Sequence, residues 1–342
     1  MSSNNNNNQS LLFTPLTIRG VTLRNRIVVS PMCQYSVANG DGIVGDWHLV
    51  AYGSYARGGA GLVMCEATGV EARGRITPAC PGLWDDSQIE PWARITRFIK
   101  QQGSVPGIQL AHAGRKASTV VPWVNRGQSI DNKDGGWDTI SASPIAFGGG
   151  REVVWKVPKE ATHEDLDVIK AAYVSACGRA VKAGFEFSET VIELHFAHGY
   201  LVSTFLSPIT NHRTDTYGGC LENRMRLGLE IAHLCRQALP QHIVLGVRVS
   251  VSDYTPEGWD VSQTIEFAKQ LKQLGIDFVD CSSGGVVANV DYHQCNTSDV
   301  QRQAARDVHR DVGIMTAVVG KVVDPMVAEK LLRETGADLI MI

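Results

Sequence analysis

Short apolar runs alternate along this chain with longer stretches whose apolar positions recur every three or four residues. The runs are Ile27 to Pro31, Gly61 to Ala67, Pro106 to His112, Val191 to Phe196, Ile243 to Ser250, Asp277 to Ser282, Ile314 to Val319 and Asp338 to Ile342. They have strand length and are apolar on both faces. Between them, helical spacing covers Asp46 to Arg57, Ile89 to Gln102, Thr162 to Ala183, Leu221 to Ala238, Val261 to Leu274, Ser298 to Val308 and Pro325 to Thr335. Thr162 and Asp165 have capping-box spacing, and Pro325 stands where a helix tolerates proline. Leu11 to Arg24 reads as a small hairpin turning near Gly20.

Strands that alternate with helices must pair in parallel, because each needs a crossover to return. Eight strands buried on both faces predict a closed (β/α)8 TIM barrel of α/β class. An open doubly wound sheet would need a Gly-rich turn after an early strand, and no GxGxxG stands there. The alternation pauses after the third strand. Residues 117–159, rich in Trp, Gly, Pro and Ser, read as an inserted capping segment with a hairpin near Ile145 to Val157. Residues 1–10 read as a disordered tail and residues 11–342 as one barrel domain. That barrel reads as C-terminally incomplete, since no eighth helix follows Asp338 to Ile342 and the final helix is missing.

The chain has 342 residues, 44% of them hydrophobic, with 32 basic against 35 acidic side chains. That balance excludes a disordered chain and argues against a broad nucleic-acid surface. No run reaches the roughly 18 apolar residues of a spanning helix, and the N-terminus lacks the features of a secretory signal. None of the eight cysteines forms a CxxC pair. A reducing, cytoplasmic setting is the expectation.

In such a barrel the chemistry sits where strands end. This gathers Pro31, Met32, Cys33 and Tyr35 from strand one, and Glu66 and Ala67 from strand two. Strand three adds Gln109, His112, Arg115 and Lys116; strand four adds His195, His198 and Tyr200; strands five and seven add Arg248 and Gly320. His195 and His198 admit three readings: metal ligands completed by Glu193, satisfied core histidines, or two donors aimed at a ligand oxygen. Tyr200 on the same loop is a weak acid suited to protonating a carbanion. Arg248 inside an apolar strand demands an anionic or carbonyl partner, and Gln109 an amide-like one. A basic pair such as Arg115 and Lys116 at a loop start is often merely solvated. Cys33 follows Pro-Met with no base beside it in the sequence.

SPMCQYS at 30–36, QLAHAGRK at 109–116, HFAHGYL at 195–201, FLSPITNHRTDTYGG at 205–219, ENR at 222–224, RVSVSDY at 248–254 and DCSSGG at 280–285 resemble the Old Yellow Enzyme family. The resemblance runs from Leu12 to Ile342, and Cys33 and Tyr35 are similar to its thermophilic-like branch. It implies an FMN-dependent ene-reductase, an NADPH dehydrogenase (NADH being the alternative donor) with ping-pong kinetics. His195 and His198 would hydrogen-bond the carbonyl oxygen of an enone or enal, and Tyr200 would be the proton donor. Ala67, Gln109 and Arg248 would meet the flavin edge; Pro31, Met32 and Cys33 would lie along its face. Val319 and Gly320 would remain of the phosphate site. Tyr35, with Lys116 near the mouth, would bind substrate. A homo-oligomer is also implied. Arg213 and Asp215 in the long segment are expected to form a local ion pair.

Two features depart from the family pattern. Four additional residues, Phe187 to Thr190, precede strand four, where a small loop at the barrel bottom is expected. The Gly-Arg phosphate loop and last helix do not follow strand eight. The alternative reading is a truncated, cofactor-poor barrel, inactive or completed by a partner.

Overall fold

A computed structural model describes residues 9–148, 155–184, 190–290 and 297–342. The chain enters through a hairpin of β1 (Leu16–Ile18) and β2 (Val21–Leu23), which turns at Arg19 and Gly20. The barrel alternation follows: β3 (Ile27–Val29), α1 (Asp46–Arg57), β4 (Leu62–Gly69), α2 (Ile89–Gln101) and β5 (Val105–Ala111). After the excursion, which carries β6 (Ile140–Ser141) and β7 (Lys159–Glu160), come α3 (His163–Lys182) and β8 (Val191–Phe196). A short α4 (Leu201–Leu206) precedes α5 (Leu221–Ala238), β9 (Val244–Ser250), α6 (Val261–Gln273) and β10 (Phe278–Ser282). The described chain closes with α7 (Thr297–Val312), β11 (Met315–Val318), α8 (Pro325–Thr335) and β12 (Leu339–Met341).

The eight parallel strands close in the order β3-β4-β5-β8-β9-β10-β11-β12, with Ile340 and Met341 of β12 paired to Ile27 and Val28 of β3. The closed barrel predicted from the alternation is therefore the fold. Strand parity explains its two cores. Val28, Leu62, Met64, Val105, Val191, Val244, Phe278 and Leu339 point inward, where Ile18, Val21 and Leu23 of the hairpin plug the lower end. Their neighbours, such as Val63, Cys65, Ile108, Ile192 and Leu194, point out into the layer shared with the helices. Successive side chains of a strand must face opposite ways, so a strand between barrel interior and helices is apolar at every position.

The helices start and stop as their sequences dictate. Thr162 accepts a hydrogen bond from the Asp165 amide and the Asp165 carboxylate returns one, completing the capping box of α3. Asp324 caps α8 ahead of Pro325, and Gly336 ends it in the left-handed conformation at φ 71°. Helix α2 buries Trp92, Ile95, Thr96 and Ile99, one face of an amphipathic helix.

One expectation needs correction, one lies partly outside the described residues, and one element was not foreseen. Residues 9 and 10 do not hang free: the Glu329 carboxylate of α8 accepts from the Ser10 hydroxyl and the Leu11 and Leu12 amides, and Arg333 donates to Gln9 O. A helix carboxylate with three donors pins a polar segment that composition alone reads as a tail. The hairpin near Ile145 to Val157 lies partly outside the described residues. On its described flanks the Trp155 amide donates to Phe147 O, but the paired strands are β6 and β7, and they run parallel. Helix α4 was not legible, because six residues buried throughout show no helical period. Phe187 to Glu189 lie outside the described residues. Beyond them β8 keeps its register, with His195 beside Arg248 of β9.

Candidate active site

Above the apolar plug, toward the C-terminal ends of the strands, the barrel interior turns polar. Gln109 of β5, Glu193 of β8, Arg248 of β9 and Asp280 of β10 are all nearly inaccessible. Gln109 Nε2 donates to Glu193 Oε1 at 2.7 Å, and Arg248 Nε lies 3.0 Å from Asp280 Oδ2. One guanidinium thus serves two buried carboxylates. Burial and the nearby Asp280 charge push Glu193 up to about 8, so at neutral pH it holds a proton. Protonation leaves Arg248 and Asp280 as a balanced pair, the arrangement a dry interior tolerates.

The same residues leave groups unsatisfied toward the mouth. The two terminal guanidinium nitrogens of Arg248 and the amide oxygen of Gln109 have no hydrogen bond to the described residues. Donors and an acceptor side by side suit the edge of a planar heterocycle that alternates carbonyl and N–H groups. The donor set therefore fits a flavin, with Ala67 aligned beside Gln109 in the β4–β5 register.

The loop after β3 is held by one carboxylate. Glu66 sits at a register irregularity between Cys65 and Ala67, which takes it out of the strand alternation. It accepts from the Gln34 amide at 2.8 Å and from the Tyr52 hydroxyl of α1 at 2.8 Å. Burial pushes it up to about 7. This fixes the segment that carries Pro31, Cys33 and Tyr35. Burial, with Cys80 and Glu66 nearby, pushes the Cys33 thiol well above its ordinary range, so it is a thiol rather than a thiolate. Tyr35, at φ 49°, meets the exposed Trp123 edge-on with ring centroids 6.0 Å apart. That contact brings the capping segment over the mouth. Met32 stands apart: it is exposed and lines an apolar groove with Val29, Tyr55, Val322 and Ile342.

The third cluster follows β8. His195 stands edge-on to both His198 and Tyr200, with ring centroids 5.0 Å and 4.9 Å away. A left-handed turn brings them together: His198 has φ 61° and Gly199 φ 69°. A Cβ on Gly199 would stand 2.2 Å from Gly285 O, so glycine is required where this loop crosses the loop after β10. Ser250 ties the crossing, accepting from the His198 amide and donating to Gly284 O, each at 2.8 Å. Burial and the Arg248 charge hold both imidazoles well below their ordinary range, hence neutral. Burial raises Tyr200, which keeps its phenolic proton.

Arg115 and Lys116 are buried rather than solvated. Arg115 donates to Val286 O at 2.6 Å and to Ile145 O at 3.3 Å. Lys116 Nζ donates to His198 O at 2.7 Å and also to Gly285 O, and lies 3.9 Å from the Phe147 ring centroid. Through these bonds it clamps the loops after β8 and β10. His112 bonds Glu71, just beyond the end of β4, at 2.7 Å. Val319 and Gly320 (φ 117°) follow β11, where Arg302 donates to Gly320 O. Arg213 and Asp215 do pair. Among the described residues no three metal-ligating side chains gather, and no helix is long and apolar enough to cross a membrane.

Reading by strand ends missed Asp280, Ser250 and Ser282. The parity that places Arg248 inward also places Asp280 inward, and DCSSGG was the available signal.

The sequence matches the model of the NADH:flavin oxidoreductase / NADH oxidase family over residues 11–342. It is 43% identical to an NADH:flavin oxidoreductase of Gibberella zeae, over 96% of this chain and 81% of that protein. An NADPH dehydrogenase of Bacillus subtilis is 41% identical over 97% of this chain and 89% of its own length. Among solved structures, the old yellow enzyme homologue from Zymomonas mobilis superposes with a TM-score of 0.78 at 25% identity, covering 97% of this chain and 88% of that one. A barrel whose mouth offers an unsatisfied guanidinium and amide beside two neutral imidazoles agrees with these relatives, and the chain belongs to the NADH:flavin oxidoreductase family, the Old Yellow Enzymes, as an FMN-dependent NAD(P)H oxidoreductase.

Proposed function

We propose that the chain reduces the C=C bond of α,β-unsaturated aldehydes and ketones with electrons from NADPH, by a ping-pong mechanism in which donor and acceptor use one mouth in turn. The observation that carries this reading is the orthogonal cluster of His195, His198 and Tyr200. Arg248, Gln109 and Ala67 would hold the edge of FMN, with Pro31, Cys33 and the main chain at Met32 along it, the Met32 side chain lying in its own groove, and Val319 and Gly320 toward its phosphate. Bound FMN supplies the hydride carrier between the two substrates.

The chain's own residues do the rest. His195 Nε2 and His198 Nδ1 carry no hydrogen bond from the described protein, so both are available to an oxygen. Two N–H groups on a carbonyl oxygen stabilise the negative charge that grows there as hydride reaches the β-carbon. Tyr200 holds a proton 4.9 Å (ring to ring) from His195 and can deliver it to the α-carbon. Arg248 and Lys116 lie close enough to favour the resulting phenolate. Tyr35 and Trp123 wall the open side of the site.

The test is anaerobic stopped-flow. The purified chain, supplemented with FMN, should show the flavin absorbance band, bleach with NADPH and recover with 2-cyclohexen-1-one. A chain that retains no flavin would favour the cofactor-poor alternative. Bleaching without recovery would overturn the ene-reductase reading alone.

A further inference from the structure

His195 settles its own tautomer through the backbone. The Ala197 amide donates to Nδ1 at 3.2 Å, and an amide N–H only donates, so the ring hydrogen is on Nε2. His198 has no such amide. Its Nε2 lies 2.6 Å from the Ser282 hydroxyl, and by distance alone either atom could donate.

The surroundings decide. Ser282 is 4% exposed, and among the described residues its hydroxyl has no partner other than this imidazole. A buried O–H without an acceptor is costly. If His198 Nε2 donated, the serine hydrogen would have no acceptor, and Nδ1 would present a lone pair to the mouth. With the serine donating, both buried atoms are satisfied and the ring hydrogen moves to Nδ1. The ring has only one hydrogen to place, because burial, Arg248, His195 and Lys116 all disfavour the imidazolium.

We infer that Ser282 is a positioning residue: its hydroxyl donates to His198 Nε2, holds that ring as the Nδ1–H tautomer, and so makes it the second N–H donor to the substrate oxygen. The backbone makes the pairing rigid. Gly199 and Gly285 cross in contact, Ser250 bridges His198 to Gly284, and Lys116 holds the carbonyls of His198 and Gly285. The serine and the imidazole are 84 residues apart, yet neither loop can shift without breaking those contacts. The tautomer follows from the geometry; its use for an enone rests on the ene-reductase reading.

The FMN-loaded chain labelled with 15N-histidine tests both parts. Two-bond 15N–1H correlations should show His198 as Nδ1–H and His195 as Nε2–H. Ser282→Ala should move His198 toward Nε2–H. It should also slow flavin reoxidation by 2-cyclohexen-1-one at least tenfold, up to the ~10²–10³ typical of a lost oxyanion donor. Ser282→Thr should restore both readouts. His198 found as Nε2–H in the unmodified chain overturns the assignment, whatever the variants do. Ser282→Ala with an unchanged tautomer does so equally. If 2-cyclohexen-1-one fails to reoxidise the unmodified chain, the functional reading falls while the spectrum still decides the role of Ser282.

Discussion

Arg248 Nε stands 3.0 Å from Asp280 Oδ2 in the centre of the barrel, an ion pair between adjacent strands with almost no access to water. Removing one partner of such a pair leaves the other charged and unpaired. Arg248→Met should cost about 3–5 kcal/mol of unfolding free energy and weaken FMN binding at the same time. Urea unfolding and flavin fluorescence titration check the two effects. Arg248→Met combined with Asp280→Asn should recover part of the stability and none of the flavin affinity. Full recovery of affinity would mean that the guanidinium does not touch the cofactor.

The buried titratable groups give stability a maximum in pH. His48 is pushed down to about 4 by burial, and His195 and His198 well below 6.5. They bind fewer protons folded than unfolded, so their contribution is present above pH 6.5 and lost on acidification. Glu66 and Glu193 are raised from 4.5 to about 7 and about 8. They bind more protons folded than unfolded, so their contribution is lost as pH rises through those values. Between pH 6.5 and 8 the carboxyls act alone, and the urea midpoint of the flavin-free chain should fall. Each carboxyl contributes at most about 1.4 kcal/mol per pH unit. Glu193→Gln, which mimics the neutral acid, should flatten that fall. An identical slope in the variant would show that Glu193 does not titrate there.

Gly199→Ala places a methyl 2.2 Å from Gly285 O at a residue with φ 69°. The loops must part, and His198 moves with them. A displacement near 1 Å at a catalytic group costs roughly 10²-fold. Enone turnover should drop by that order with the far-ultraviolet circular dichroism unchanged. Normal turnover would mean that the crossing of the loops does not position His198.

Tyr200→Phe keeps the ring against His195 and removes the proton. Reoxidation of the reduced flavin by an enone should slow by about 10²-fold or more, in the usual range for a lost general acid. Reduction by NADPH should change far less. Equal slowing of both half-reactions would remove Tyr200 as the proton donor.

Lys116→Met should separate clamp from substrate ligand. Loss of a buried ammonium from the carbonyls of His198 and Gly285 should lower thermal stability. The effect on enone turnover should be the same for enones of different size. A change confined to the KM of one enone class would instead make Lys116 a substrate contact.

The barrel itself was legible in the chain. Alternating strands and helices require parallel pairing, and runs apolar at every position require burial on both faces; seven of the helices were found within a few residues of their predicted ends. Placing chemistry at strand ends also collected His195, His198, Tyr200, Gln109 and Arg248, because parity and connectivity are local properties. What lay beyond reach was set by contacts between residues distant in sequence. That Glu193 keeps a proton depends on Asp280 and Arg248, and that Lys116 is a clamp depends on carbonyls of two other loops. Which nitrogen of His198 faces the mouth depends on a hydroxyl from another strand. Sequence pattern determines which strand ends face the mouth; only tertiary packing decides which of their side chains turn into it and where the protons sit, because burial and hydrogen-bond partners fix orientation, charge and tautomer.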